Sequence, residues 1–307
     1  MQKRWKIKLA CVLIGVMFCH IFFVKGHLLP VDAFDWLIIR DIRLPRTILG
    51  FLTGFILAIT GAVFQTIFNN KLADSFTLGI AGGASLGSAL AVVIGISAAV
   101  MSVAGSLLTL LAVVLLTQLY FRHEQRTGMI LFGMFINFFC SSALYGLVIL
   151  WPGQSRQLLN YLFGSIGTAE WQNIYVLIPV TLIGLAVLLK LARPIMIVAS
   201  GETIARGVGV EQQKVEYTAL IISSIMTAVL VSITGIIGFV GLIVPQFFKQ
   251  TTTLLITGIV GGIAVIAADF LGNNMLTPLQ IPVSVLLSLV GLPLLMMIML
   301  KKEWKRR

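Results

Sequence analysis

Charge is what this chain has least of. Only 11% of its 307 residues are Asp, Glu, Lys or Arg, with 11 acids against 22 bases, while 58% are hydrophobic. Surface polarity on that scale cannot coat a soluble globule of such apolar content. Cysteine and histidine are scarce too, three of each. Cys11, Cys19 and Cys140 are odd in number, widely spaced and set within apolar runs, so they read as small hydrophobes rather than a disulfide framework. His20, His27 and His123 are equally scattered, and no metal site is expected from them. No Ser/His/Asp set and no paired carboxylates converge on one segment, so no catalytic residue is assigned and the chain is not read as an enzyme. A Gly-x-x-x-x-Gly-Lys-Ser/Thr phosphate loop is also missing, which hands any nucleotide to another polypeptide.

What is present is a series of long apolar runs. A membrane-crossing helix needs roughly 20 mainly apolar residues, and runs of that kind fall at about 8–24, 46–66, 76–97, 102–121, 127–150, 173–192, 215–235, 236–250, 253–271 and 280–300. The expectation is an all-α polytopic membrane protein of about ten transmembrane helices, the eighth being short and holding Pro245. With the N-terminus inside, 17 of the 22 lysines and arginines lie on the cytoplasmic side, as the positive-inside rule requires. Both tails are then cytoplasmic, and the net charge of +11 is explained without nucleic acid. The first run has a basic start but no small-x-small cleavage site after Phe22-Phe23-Val24, so it is read as a retained span. No polar stretch is long enough to fold separately, and residues 1–307 are read as one membrane domain with a cytoplasmic segment at 194–214.

Glycines recur inside the spans at steps of four: Gly50 and Gly54; Gly79, Gly83 and Gly87; Gly258 and Gly262. In lipid such faces let another helix approach closely, within one subunit in preference to across a dimer. Ile59-Thr60-Gly61 and Ile233-Thr234-Gly235 lie five spans apart, a spacing that suits an inverted repeat.

Two blocks carry a resemblance. Arg43-Leu44-Pro45-Arg46 leads through Gly50, Gly54 and Gly61 to Gln65, Leu72-Ala73-Asp74 and Leu78-Gly79-Ile80-Ala81-Gly82-Gly83. Far away stands Gly238-Phe239-Val240-Gly241-Leu242-Ile243-Val244-Pro245. Together they resemble the permease subunits of ATP-driven importers for ferric siderophores, haem and cobalamin. The resemblance implies a cobalamin-permease-like bundle with an inverted repeat, paired with a second permease subunit, identical or sister. It also implies a cytoplasmic ATPase dimer that holds ATP and magnesium, this chain carrying no cofactor, and an extracellular substrate-binding protein or lipoprotein. The cargo implied is an iron complex, with cobalamin as the alternative.

Residue roles follow from the same resemblance. Arg43 and Arg46 match arginines that receive glutamates of the binding protein; without the resemblance they would anchor the second span in headgroups, with Pro45 in its first turn. In the family a second docking arginine follows span nine; here Asn273, Asn274 and Gln280 stand in place of the charged groups, which leaves a contact on that side neutral, absent or supplied by a sister subunit. Gly201-Glu202-Thr203-Ile204-Ala205-Arg206-Gly207-Val208-Gly209 resembles the coupling helix that sits on the ATPase. Ser200 is its expected N-cap, Glu202 and Arg206 suit its dipole, and Gly207 or Gly209 stops it. From spacing alone, Asn137, Ser141 and Tyr145 share a face of span five and are candidates for a polar path, helix-to-helix hydrogen bonding being the competing role. Asp269 reads as a cap or a partner to a neighbouring helix in preference to a proton relay. The rival class, an ion-coupled secondary transporter, would need buried carboxylates at mid-membrane.

Overall fold

The computed structural model describes residues 2–24, 27–28, 33–121, 124–167, 169–248, 254–274 and 281–304. Its framework is helical, as the apolar runs imply: α1 (Gln2–Phe22), α2 (Ala33–Ile38), α3 (Leu44–Ile67), α4 (Ile80–Ile94), α5 (Ala98–Tyr120), α6 (Gln125–Leu150), α7 (Ser155–Phe163), α8 (Trp171–Ala199), α9 (Glu202–Gly207), α10 (Gln212–Thr234), α11 (Val240–Ile243), α12 (Leu254–Asn274) and α13 (Val283–Trp304). The only strands among the described residues are two-residue pieces, Phe23–Val24 and His27–Leu28, paired antiparallel after α1. Among the described residues six helical stretches are long and apolar enough to cross a membrane, and three shorter apolar ones lie at Cys11–Phe22, Ile80–Ile94 and Val283–Ile298. The chain is a multi-pass membrane protein.

α3 is the axis of the bundle. Every residue from Thr53 to Phe64 is buried, the pattern of a helix that is apolar on all sides and enclosed on all sides. α12, α8, α10 and α11 surround it. Close approach depends on glycine: a Cβ on Gly54 would overlap the backbone of Gly261, and one on Gly61 the backbone of Gly241. The stepped glycines of α4 work alike, with Gly83 against Gly105 of α5, Gly87 against Met101, and Gly79, in the left-handed region, against Gly133 of α6. The glycine faces therefore serve packing within this one chain.

One expectation is met in part and two change. Pro45 lies in the first turn of α3, as expected, but the helical path into it starts earlier, at Phe34. A π-helical turn at Ile39–Arg43 precedes it, and the wider turn accommodates a ring that would clash with the carbonyl four residues back in a regular helix. The sixth span does not stop at 192: α8 runs to Ala199 through Pro179 and Pro194. The eighth apolar run is not one helix. Gly235 ends α10 at φ 68, Phe239 is left-handed at φ 70, and only the short α11 and a 3-10 turn at Val244–Phe247 follow.

Non-helical backbone at membrane depth needs protein partners, and α7 supplies some here. Ile236 N–H donates to the Tyr161 carbonyl and Ser165 N–H to that of Thr234. α7 is thus tucked into the bundle, with Leu158 and Tyr161 buried and Ser85 Oγ donating to the Tyr161 carbonyl. The two Thr-Gly pairs of the proposed repeat consequently differ in role: Gly61 is a mid-helix contact and Gly235 a helix end.

Candidate functional site

At one end of the bundle, α8 and α10 are joined through α9. Its N-cap is Gly201 at φ 123, not Ser200, whose hydroxyl donates back to the Met196 carbonyl and finishes α8. Glu202 and Arg206 form an exposed ion pair one turn apart. Gly209, at φ 76, lets Val210 N–H return to the Ala205 carbonyl and close the turn. Ala205 is the sole buried residue of α9, and Thr203 is exposed beside Glu202. A cavity of about 1070 Å³ opens on one flank of α9, lined by Glu202, Arg206, Arg126, Glu216 and Tyr217 among others. A second, of about 750 Å³, opens on the other, lined by Ile204, Val208, Gln65, Lys71 and Gln246. A two-turn helix pinned at one small residue, with space on both flanks, can shift relative to the core.

Next to it lies the loop between α3 and α4. Asn69 adopts φ 46, and Asp74 is 4% exposed, its carboxylate accepting from Thr77 N–H at 2.8 Å and Phe76 N–H at 3.1 Å. Gln65 Nε2 donates to the carbonyls of Gly241 and Leu242, and Gln246 Nε2 to that of Leu242. Gln246 Nε2 also donates to the Lys71 carbonyl, which ties the loop to the broken segment. Burial pushes the Asp74 carboxyl up to about 6, against which the Thr77 and Phe76 bonds pull only partly. A raised folded-state pKa means that the folded protein binds this proton more tightly. The contribution is then fully present below the ordinary pKa near 3.8 and is lost as pH rises through about 6. Asp74→Asn should keep the acceptor for Thr77 and remove that slope. The variant should gain up to about 3 kcal/mol over the parent at pH 7.5, and little at pH 4, in detergent thermal-unfolding scans.

The opposite end holds the arginines. Arg46 pairs in bidentate fashion with Asp269 of α12, Nε to Oδ2 at 2.7 Å and Nη2 to Oδ1 at 2.8 Å. His20 Nε2 lies 2.8 Å from the same Oδ2, and its Nδ1 is 2.7 Å from Thr47 Oγ1, which donates to the Arg43 carbonyl. Arg43 caps α1, its Nη1 donating to the carbonyls of His20, Ile21 and Phe23 at 3.2–3.5 Å. Neither arginine is the free exposed group that a docking surface suggests; Arg40, well exposed beside Asp41, is closest to that. Asp269 is a partner to neighbouring helices. Asn273 and Asn274 cap α12, their side-chain amides donating to the carbonyls of Asp269 and Phe270, while Gln280 lies outside the described residues.

The path candidates on α6 separate. Asn137 is 1% exposed and packs against Gly82, Ser141 is half-buried, and Tyr145 is 56% exposed. Steps of four advance 40° beyond a full turn each, enough over two steps to carry the row from the α4 contact to the outer surface of the chain. Ser142 stands exposed beside Phe138, Phe139 and Tyr145.

The sequence pattern of the FecCD transport family matches residues 7–301. This chain belongs to the FecCD transport family. It is 30% identical to the Bacillus subtilis (strain 168) ABC transporter permease protein YvrB, over 87% of this chain and 79% of that one. It is also 30% identical to the Yersinia pestis hemin transport system permease protein HmuU, over 88% and 85%, and 31% identical to the Halobacterium salinarum cobalamin import system permease protein BtuC, over 87% and 74%. A solved metal-chelate type ABC transporter in an inward-facing conformation superposes with a TM-score of 0.85 at 24% identity, covering 97% of this chain and 99% of that one, which bears out the fold. The relatives are permease components, so this FecCD chain is a membrane transport subunit and not an enzyme.

Proposed function

We propose that this FecCD subunit carries an iron complex, a ferric siderophore or haem, inward across the cytoplasmic membrane on energy from ATP hydrolysed by a separate subunit. The observation that carries the reading is α9, a lever with one buried residue and open space on both flanks, placed between two long helices. An ATPase pair engages Gly201 to Gly209 from the cytoplasm, where both tails also lie. Closing of the ATPases moves α9, and α8 and α10 transmit the movement outward. ATP and magnesium belong to those partners. Relatives named for hemin and for Fe(3+)-citrate support iron, and those named for cobalamin keep that cargo as the alternative.

A second permease subunit, identical or sister, completes the path. The exposed face of α6 that bears Ser142 and Tyr145 lines it, and Asn137 supports that face from behind through α4. An acidic extracellular binding protein docks at the outer end around Arg40, Arg43 and Arg46. Rim ion pairs of that kind orient a partner and speed its arrival more than they add affinity.

The test is uptake of radiolabelled ferric citrate, haemin and cobalamin into vesicles holding the isolated complex. ATP supplied on the ATPase side should drive one of them. Uptake by the permease alone, driven by a sodium or proton gradient, would reject the reading.

A further inference from the structure

The cluster under the outer arginines holds more partners than a docking site needs. Arg46 is bound through both Nε and Nη2 to Asp269, and Arg43 is spent on α1 carbonyls. A carboxylate arriving from outside finds the Nε–Nη2 edge of Arg46 already held and has to compete for it. Asp269 is 1% exposed, and a carboxylate so buried cannot simply be abandoned, because an uncompensated charge there is strongly destabilising. His20 removes that obstacle. Among residues 11–22 of α1 it is the one that is buried, it holds the same Oδ2 that Arg46 Nε holds, and Thr47 steadies its other nitrogen. Arg46 is 20% exposed, so its guanidinium sits at the edge of the cluster with water within reach.

We propose that docking at this end works by ion-pair exchange: Arg46 leaves Asp269 for a carboxylate of the acidic binding protein, and His20 keeps Asp269 partnered while Arg46 is away. The inference rests on the docking reading of the preceding subsection. His20 and Asp269 are then positioning residues that touch neither cargo nor partner. The exchange has a structural consequence, because the Arg46–Asp269 pair joins α3 to α12 at the end where cargo enters. Arrival of the binding protein loosens that join, so docking and unlatching of the outer mouth are one event.

The experiment titrates the complex in lipid nanodiscs with the binding protein isolated alongside it. Arg46→Glu should weaken binding at least about tenfold, since a lost charge-assisted contact becomes a repulsion; unchanged affinity would remove the docking reading itself. With that reading standing, Asp269→Asn decides the exchange. Removing the competitor should tighten binding by about tenfold. Weaker binding would mean that Arg46 docks only while Asp269 aims it, and would overturn the exchange. Should Asp269→Asn fail to assemble, His20→Ala serves: it should weaken binding by trapping Arg46 on Asp269, and unchanged affinity would overturn the proposal. The double variant H20A/D269N should bind more tightly than H20A, a rescue that a role of His20 in merely holding α1 does not produce.

Discussion

Gly54→Val is expected to abolish assembly of the bundle, with loss of monodisperse protein after detergent extraction. A Cβ at this position meets the carbonyl carbon and oxygen of Gly261 and the Cα of Gly262. Those are backbone atoms in the middle of α12, so no side-chain rotamer can turn aside and relieve the overlap. Overpacking against yielding side chains costs about 1–3 kcal/mol; against a rigid helix backbone the two helices must separate. Separation would strip partners from α3, which is buried from Thr53 to Phe64, and would pull Arg46 away from Asp269. In lipid no hydrophobic force presses the helices together again, because the tails are as apolar as the side chains. Gly146→Val is the matched control: nothing lies within 4 Å of that glycine, so the variant should extract and melt as the parent does. Equal behaviour of the two variants would show that the α3–α12 contact is not the organising one.

How much of this was open to inspection in the sequence depends on the kind of interaction. The spans were legible because length and apolarity are one-dimensional properties, and the glycine steps were legible because a four-residue repeat survives as a pattern. The eighth run misled because composition does not record φ: Gly235 and Phe239 break the helix by taking left-handed angles, and a phenylalanine there gives no warning. A short helix between the sixth and seventh spans was legible and is present as α9, but its cap is Gly201 and not Ser200, whose hydroxyl instead closes the preceding helix. Asn137, Ser141 and Tyr145 were grouped by spacing alone, which ignores the 40° advance at each step.

The cluster of His20, Arg46 and Asp269 was the least legible. His20 and Asp269 are 249 positions apart, and nothing local marks either as the other's partner. One signal was available: a lone histidine and a lone acid near the ends of two spans, with an arginine at the end of a third. Intramembrane polar groups are costly until paired, so three isolated ones at one depth are candidates for a single cluster. That rule would have found His20 and Asp269 and withdrawn Arg46 from the roster of free docking groups. It would not have found Thr47, whose hydroxyl could satisfy itself within α3.

Ala205→Asp is expected to uncouple the transporter: uptake should fall by more than about tenfold, equivalent to about 1.4 kcal/mol of coupling free energy, while ATP hydrolysis by the complex persists. The side chain of Ala205 is wholly buried, and it is the one anchor that α9 has in the core. A carboxylate cannot stay in that place unpaired, and the cavities on the two flanks of α9 leave it somewhere to go. The helix would therefore be displaced rather than the fold unmade, and the melting temperature of the isolated permease should change little. Glu202→Ala with Arg206→Ala separates anchoring from contact. Their exposed pair contributes only about 0.3–0.5 kcal/mol, so any large loss of uptake in that variant reports a surface read by the ATPase. Loss in both variants means that α9 must be held from above and gripped from below. Loss in Ala205→Asp alone would make it a passive strut, and full coupling in both would move the transmission of force to another part of the inner face, with the Asp74 loop the nearest alternative.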